Sequence, residues 1–266
     1  MVVYSKEELV KPFYFSGGEH GLLLIHGFTA CPIDLKPLAE ILHGFGYTIL
    51  APLLAGHGTT PEQMKETSYQ DWLNSAKEAL ALLRKECRQV TAVGHSFGGL
   101  LGLMLAVEQQ VDRVVSINAP IVLQNKDIAR ADEYLGKIEY VDKNYKKDQT
   151  EITVTAEGLP HFSYTRVPIK CLVEMNRAIA EMENRLPEIK CPALIIQGDR
   201  DETVDPVSAQ IIAEKLGSSW KKLSSWANEG HYLPLSAKRA ELAKEIHNFC
   251  KPNPLPGASI KCNILL

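Results

Sequence analysis

A serine framed by two glycines, Gly94-His95-Ser96-Phe97-Gly98, stands between the strand-like run Val90 to Val93 and the helix-like run Leu100 to Val107. Few folds accommodate that arrangement. The chain must leave a strand, turn at the serine and enter a helix within a few residues, and bulk two positions to either side would meet neighbouring backbone. Gly94 and Gly98 remove that bulk. The helix starting beside Ser96 also aims free N–H groups and the positive end of its dipole at the place where an oxyanion would form.

A serine hydroxyl is a weak nucleophile at neutral pH, so it needs a histidine within hydrogen-bond reach and an acid to hold that histidine's tautomer. After such an elbow they follow in the order acid, then histidine. Pro192 to Gln197 reads as a buried parallel strand, and the loop after it carries Asp199, Asp201 and Asp205. Asp205 precedes Pro206 and the helical pattern Ala209, Ile212, Ala213, Leu216, so it reads as a helix cap. Asp199, directly after Gly198, reads as a backbone acceptor in a turn. Asp201 is left as the acid. His231 is the base, in a loop between a strand-like segment around Trp220 to Trp226 and a helix from Ser236 to Phe249. His20, His43, His161 and His247 read as solvated or packing residues, and His95 as a packing residue of the elbow.

An oxyanion hole needs two backbone N–H donors. Phe97, next after the nucleophile, is one. Phe28 is the other, because the apolar strand Gly21 to Ile25 runs into His26-Gly27-Phe28-Thr29 ahead of a helical stretch from Pro32 to Leu42. His26 reads as a residue that orients this loop rather than as a second base.

The strings LLLIHGFTA from Leu22, APLLAGHG from Ala51, VGHSFGG from Val93, IIQGDRDETV from Ile195 and EGHY from Glu229 occur in this order. As a set they make the chain, from about Phe13 to Phe249, resemble α/β-hydrolase serine hydrolases of the bacterial carboxylesterase and monoacylglycerol-lipase-like group. The resemblance implies a mostly parallel sheet with helices on both faces and a cap insertion after the sixth strand. Residue by residue it implies Ser96 as nucleophile, Asp201 as acid, His231 as base, and Phe28 and Phe97 as oxyanion donors, the assignment already reached from chemical need. It further implies that His57 and Gly58 shape a loop near the pocket rim and that Asp71-Trp72 opens a helix.

Apolar strands at Leu22 to Ile25, Thr48 to Ala51, Val90 to Val93, Val114 to Ile117, Leu194 to Gln197 and Trp220 to Leu223 alternate with helical patterns. That alternation is the mark of a parallel sheet covered on both faces. It is interrupted between roughly Ile121 and Pro187, which gives a core of residues 1–120 and 188–250, a cap insertion over 121–187 and an irregular tail over 251–266. Within the insertion, Ile152 to Ala156 alternates as a hairpin strand would. Leu172, Met175, Ile179, Met182 and Leu186 form one helical stripe that either packs on the core or roofs an acyl-chain pocket. Leu172, Met175 and Ile179, with His26, Gly27 and His95, are the expected substrate-binding residues.

Composition narrows the function. A net charge of −3 over 266 residues, without a basic stripe, argues against a nucleic-acid partner, and Lys143 to Lys147 reads as a solvated face. No apolar run approaches the roughly 18 to 20 residues of a membrane span. The acids of Met1 to Glu8 do not resemble a signal peptide, so a cytoplasmic location is expected. Six cysteines, Cys31, Cys87, Cys171, Cys191, Cys250 and Cys262, lack metal-ligand spacing and are expected as free thiols. The proposed chemistry asks for no metal or cofactor, and its partner is a small ester. The expected activity is therefore a serine carboxylesterase acting on short to medium acyl chains. Monoacylglycerol or hydroxycinnamoyl ester hydrolysis, acyl transfer or perhydrolysis, and non-catalytic ligand binding are the alternatives.

Overall fold

The computed structural model describes residues 5–108, 110–143 and 151–251. Seven strands, β1 (Phe13–Phe15), β2 (His20–Ile25), β3 (Thr48–Ala51), β4 (Gln89–His95), β5 (Arg113–Ile117), β10 (Ala193–Gly198) and β11 (Lys221–Trp226), form one sheet in the order β1-β3-β2-β4-β5-β10-β11. Four shorter strands, β6 (Tyr140–Asp142), β7 (Ile152–Val154), β8 (Pro160–Phe162) and β9 (Arg166–Pro168), lie between β5 and β10 in sequence. The helices are α1 (Lys6–Leu9), α2 (Lys36–Gly44), α3 (Pro61–Lys65), α4 (Tyr69–Leu83), α5 (Phe97–Val107), α6 (Lys126–Ala129), α7 (Ile169–Arg185), α8 (Val207–Lys215) and α9 (Arg239–Cys250).

Only β1 runs antiparallel to its neighbour in the large sheet; the other pairs are parallel. Parallel strands need both faces covered, and the period of two in β2 meets that need. Leu22 and Leu24 pack with Leu38 and Leu42 of α2 and Leu242 and Ile246 of α9. Leu23 and Ile25 face the opposite cluster, built with α4, α5, α7 and α8. Every residue of α5 is buried, so this helix is apolar all round instead of carrying one stripe.

The chain crosses from β2 to β3 on one side and from β4 through β5, β10 and β11 on the other. Connections therefore diverge between β2 and β4, which opens a crevice at their carboxyl ends. The loops that carry Phe28, Ser96, Asp201 and His231 all leave from that edge.

The insertion follows the fifth strand in this chain's own order, one earlier than the sixth-strand place the resemblance implies. The cause is that β1 is the only strand before β2 among the described residues. Within it β6 pairs with β9 and β7 with β8, both antiparallel, so the strand pattern at Ile152 does form a hairpin. Besides the buried apolar contacts of α7, Phe162 and Val167, the insertion is tied to the core by side-chain tips. Tyr164 donates its hydroxyl to Gly56 O at 2.8 Å and accepts from Thr59 N–H at 2.8 Å, while His161 Nδ1 meets Asp34 Oδ2 at 2.9 Å. No helix among the described residues is long and apolar enough to cross a membrane. The tail expected to be irregular lies, from residue 252 on, outside the described residues.

Candidate active site

Ser96 caps the N-terminus of α5 with φ 55° and ψ −126°. A positive φ in a residue with a side chain costs about 1–3 kcal/mol and persists only where surrounding structure dictates it. Three contacts dictate it here. Ser96 N–H donates to Ile117 O on β5 at 2.8 Å. A Cβ on Gly94 would sit 2.0 Å from Gly98 O, and one on Gly98 would sit 2.1 Å from Ile25 O. The two glycines thus let β4, α5 and β2 close around the serine, whose side chain stays half-buried.

The structure brings Ser96, His231 and Asp201 into one hydrogen-bonded line. His231 Nε2 lies 3.0 Å from Ser96 Oγ, and His231 Nδ1 lies 2.8 Å from Asp201 Oδ2. A carboxylate only accepts, so Nδ1 carries the proton and Nε2 is left to accept from the serine hydroxyl. Asp201 is 2% exposed. Burial pulls its pKa up, but the His231 hydrogen bond and charge, with N–H donors from Val204 and Thr203 at 2.9 and 2.8 Å, more than reverse this and hold it below the usual carboxylate value. Asp199 instead accepts from Asn228 N–H at 2.7 Å, and Asp205 from Val207 N–H at 3.0 Å at the start of α8. Both make the backbone contacts their sequence contexts suggest.

Two residues hold the His231 loop from behind. Asn118, just past β5 and at φ 51°, donates its amide to His231 O at 2.8 Å and Gly230 O at 3.1 Å, and accepts from Gly198 N–H at 2.9 Å. His95 Nε2 donates to the same His231 carbonyl at 2.7 Å. Asn118 escapes the sequence reading. An asparagine at a strand end is a residue that tolerates left-handed backbone, and that was its one available signal.

On the β2 side, Gly27 O accepts from His26 Nδ1–H at 2.9 Å and from Ala30 N–H at 3.2 Å. The Gly27–Phe28 peptide is planar and trans, so fixing its carbonyl turns the Phe28 N–H the opposite way. His26 Nε2 in turn accepts from Leu54 N–H at 3.1 Å, and burial lowers its pKa to about 4, so the ring is neutral in this role. Neither the Phe28 nor the Phe97 N–H has a hydrogen-bond partner among the described residues. The Phe28 ring packs against Trp72, Phe97 and His57, which fixes the loop from below. Trp72 sits in the first turn of α4, opened by a capping box in which Asp71 and Ser68 satisfy one another's backbone N–H groups.

Several expected substrate contacts are corrected. His26 and His95 are buried, 1% and 5% exposed, and spend their ring nitrogens on backbone groups, so they position other residues instead of lining a pocket. Gly27 brings its backbone close to the serine, since a Cβ there would lie 3.3 Å from Ser96 Cβ. Leu172, Met175 and Ile179 are 5–8% exposed and lie in the core shared with α5, because α7 packs its apolar stripe inward. His57 is fully buried behind Phe28, not at a rim, while Gly58 takes φ +68° with Val10 where a side chain would go. Cys31 is fully buried. An open groove of about 430 Å³ does adjoin His231, lined from the cap by Thr153, Thr155, Glu157 and His161 and from the core by Glu229, Tyr232 and Leu235.

A family model described as serine aminopeptidase, S33, matches residues 19–235. The chain is 32% identical over 228 residues to a thermostable monoacylglycerol lipase of Bacillus sp. (strain H-257), covering 85% of this chain and 88% of that one. It is 28% identical to a carboxylesterase of Bacillus subtilis (strain 168), covering 90% and 95%. A solved structure described under LipS and LipT, two metagenome-derived lipolytic enzymes, superposes with a TM-score of 0.78 at 28% identity, covering 91% and 97%.

Proposed function

Since this chain belongs to the S33 serine aminopeptidase family of α/β-hydrolases and is a carboxylic ester hydrolase, we propose that it works through an acyl-enzyme on Ser96 and prefers short to medium acyl chains. The observation that carries the mechanism is the unbroken Ser96–His231–Asp201 hydrogen-bonded line, beside two N–H groups that have no partner among the described residues. His231 takes the Ser96 proton as the oxygen attacks the ester carbonyl. The N–H groups of Phe28 and Phe97 hold the tetrahedral oxyanion, and Asp201 steadies the imidazolium. The alcohol leaves with the proton from His231. Water, deprotonated by the same ring, then hydrolyses the acyl-enzyme and restores the serine.

The chain-length reading rests on the modest, partly polar groove beside His231 and on the apolar stripe of α7 being committed to the core. Likeness to a monoacylglycerol lipase favours monoacylglycerols as a second substrate class. Rates on p-nitrophenyl esters of increasing acyl length, with monoacylglycerol and methyl ferulate alongside, test the substrate. A fluorophosphonate label located by mass spectrometry tests the nucleophile. The reading expects kcat/KM to peak at short to medium chains and the label to sit on Ser96. Labelling elsewhere removes the mechanism; a peak at long chains removes the specificity.

A further inference from the structure

An amide interrupts the apolar run of β10 one residue before its closing glycine. Alternation along the strand sends Ala193 and Ile195 into the cluster shared with α4, α5, α7 and α8, and it places Gln197 on that same face. Leu194 and Ile196 take the other. Gln197 is 3% exposed, at a position where a leucine or methionine would bring no polar atom to provide for. Burying an amide costs more than burying a hydrocarbon of its size, so packing does not account for the residue.

What the side chain reaches is the catalytic acid. Its Nε2 donates to Gly198 O at 3.1 Å and to Asp201 Oδ2 at 3.3 Å. Both partners only accept, so the atom that meets them is the amide nitrogen, not the amide oxygen. Asp201 Oδ2 is also the oxygen that accepts from His231 Nδ1 at 2.8 Å, while Oδ1 takes the N–H groups of Thr203 and Val204. Each carboxylate oxygen therefore has two donors. Backbone fixes Oδ1, and Gln197, carried on a strand paired on both sides, fixes Oδ2. With Gln197 removed, Oδ2 would answer only to His231, the group it has to orient. Besides His231, the titratable groups that act on the Asp201 charge are His95 at the end of β4 and Tyr232, and neither hydrogen-bonds to it.

We propose that Gln197 is a positioning residue for the reaction: its amide N–H holds Asp201 Oδ2 in line with His231 Nδ1 and so maintains the ring orientation that takes the proton from Ser96. The inference rests on the acyl-enzyme mechanism above. Gln197 acts through Asp201 from inside the core, so its contribution falls on the chemical step and not on substrate binding.

The test compares wild type, Gln197→Met, Gln197→Glu, Asp201→Asn and the double variant Gln197→Met/Asp201→Asn on p-nitrophenyl butyrate. Gln197→Met removes the donor at similar volume, so kcat should fall by about 10- to 100-fold with KM within about threefold. In the Asp201→Asn background the same substitution should cost less than about threefold, because the carboxylate it serves is already gone. Gln197→Glu supplies a second signature. A protonated carboxyl can donate to Oδ2 as the amide does, whereas an ionised one cannot and repels Asp201. This variant should work at lower pH and lose kcat as pH rises and the new carboxyl ionises, a descending limb that wild type and Gln197→Met lack. Unchanged kcat in Gln197→Met overturns the role, and so does an equal loss with and without Asp201→Asn, which would leave Gln197 a packing residue. If Gln197→Met proves too unstable to assay, the Gln197→Glu profile decides, and the absence of the descending limb overturns the role. Fluorophosphonate labelling separates the two readings: wild type unlabelled at Ser96 ends the acyl-enzyme mechanism, whereas equal labelling rates at Ser96 in wild type and Gln197→Met end only this inference.

Discussion

At the carboxyl edge of the sheet, position is set by main chain. Ser96 is pinned by Ile117 O and two missing β-carbons, Phe28 N–H by the two donors on Gly27 O, and the His231 loop by its own carbonyls, held by Asn118 and His95. In the insertion, beside the buried apolar contacts of α7, the polar ties to the core run through the tips of side chains: Tyr164 on Gly56 and Thr59, His161 on Asp34, Lys65 on Glu139 at 2.5 Å. Backbone fixation tolerates almost no change of residue, whereas tip-to-tip fixation can be rebuilt with other pairs. The difference teaches why the chemistry and the substrate face can vary independently in such a molecule.

The largest way to break this comparison is at the nucleophile. Ser96→Ala should lower kcat by roughly four to six orders of magnitude and leave the fold intact, and Asp201→Asn should cost about 10⁴. Steady-state kinetics with circular dichroism would check both; near-normal turnover in Ser96→Ala, or a heavier loss from Asp199→Asn than from Asp201→Asn, would reassign the site. Next comes the elbow. Gly98→Ala drives a β-carbon into Ile25 O, so unfolding free energy should fall by roughly 3 kcal/mol or more, read in a urea melt. A stable, active Gly98→Ala would show that the edge is softer than its contacts indicate.

Asn118→Ala sharpens the point, because it removes three hydrogen bonds without touching the serine. A stability loss of about 1–3 kcal/mol is expected. It should come with a fall in kcat at nearly constant KM, since the displaced group is the base, not a substrate contact. A change confined to KM would contradict that role. The smallest effect belongs to the cap. Tyr164→Phe loses one hydroxyl with two partners, so about 1 kcal/mol of stability is expected with kcat for small esters unchanged. A collapse of kcat there would mean that the cap positions the chemistry directly.

The legibility of the molecule follows the same division. The strand-and-helix alternation, the elbow and the loops bearing Asp201 and His231 are written in local patterns, since each depends on residues adjacent in sequence. The cap ties join Tyr164 to Gly56 and His161 to Asp34, positions more than a hundred residues apart, and no local period encodes such a pairing. The stripe Leu172, Met175, Ile179 was legible as a helix face, but which apolar partner it meets is a tertiary choice. Asn118 was hidden for a related reason. It is a polar residue whose direction is decided by neighbours brought in from elsewhere in the chain.

Ser96 and His231 hydrogen-bond across 135 residues of chain, with β5, the insertion and β10 laid down between them. A partly assembled polypeptide cannot display the reactive hydroxyl and its proton acceptor together. Covalent capture by an organophosphorus reagent during refolding would consequently count finished molecules one by one, and its time course would trail the recovery of helical signal by however long the last crossover takes to dock.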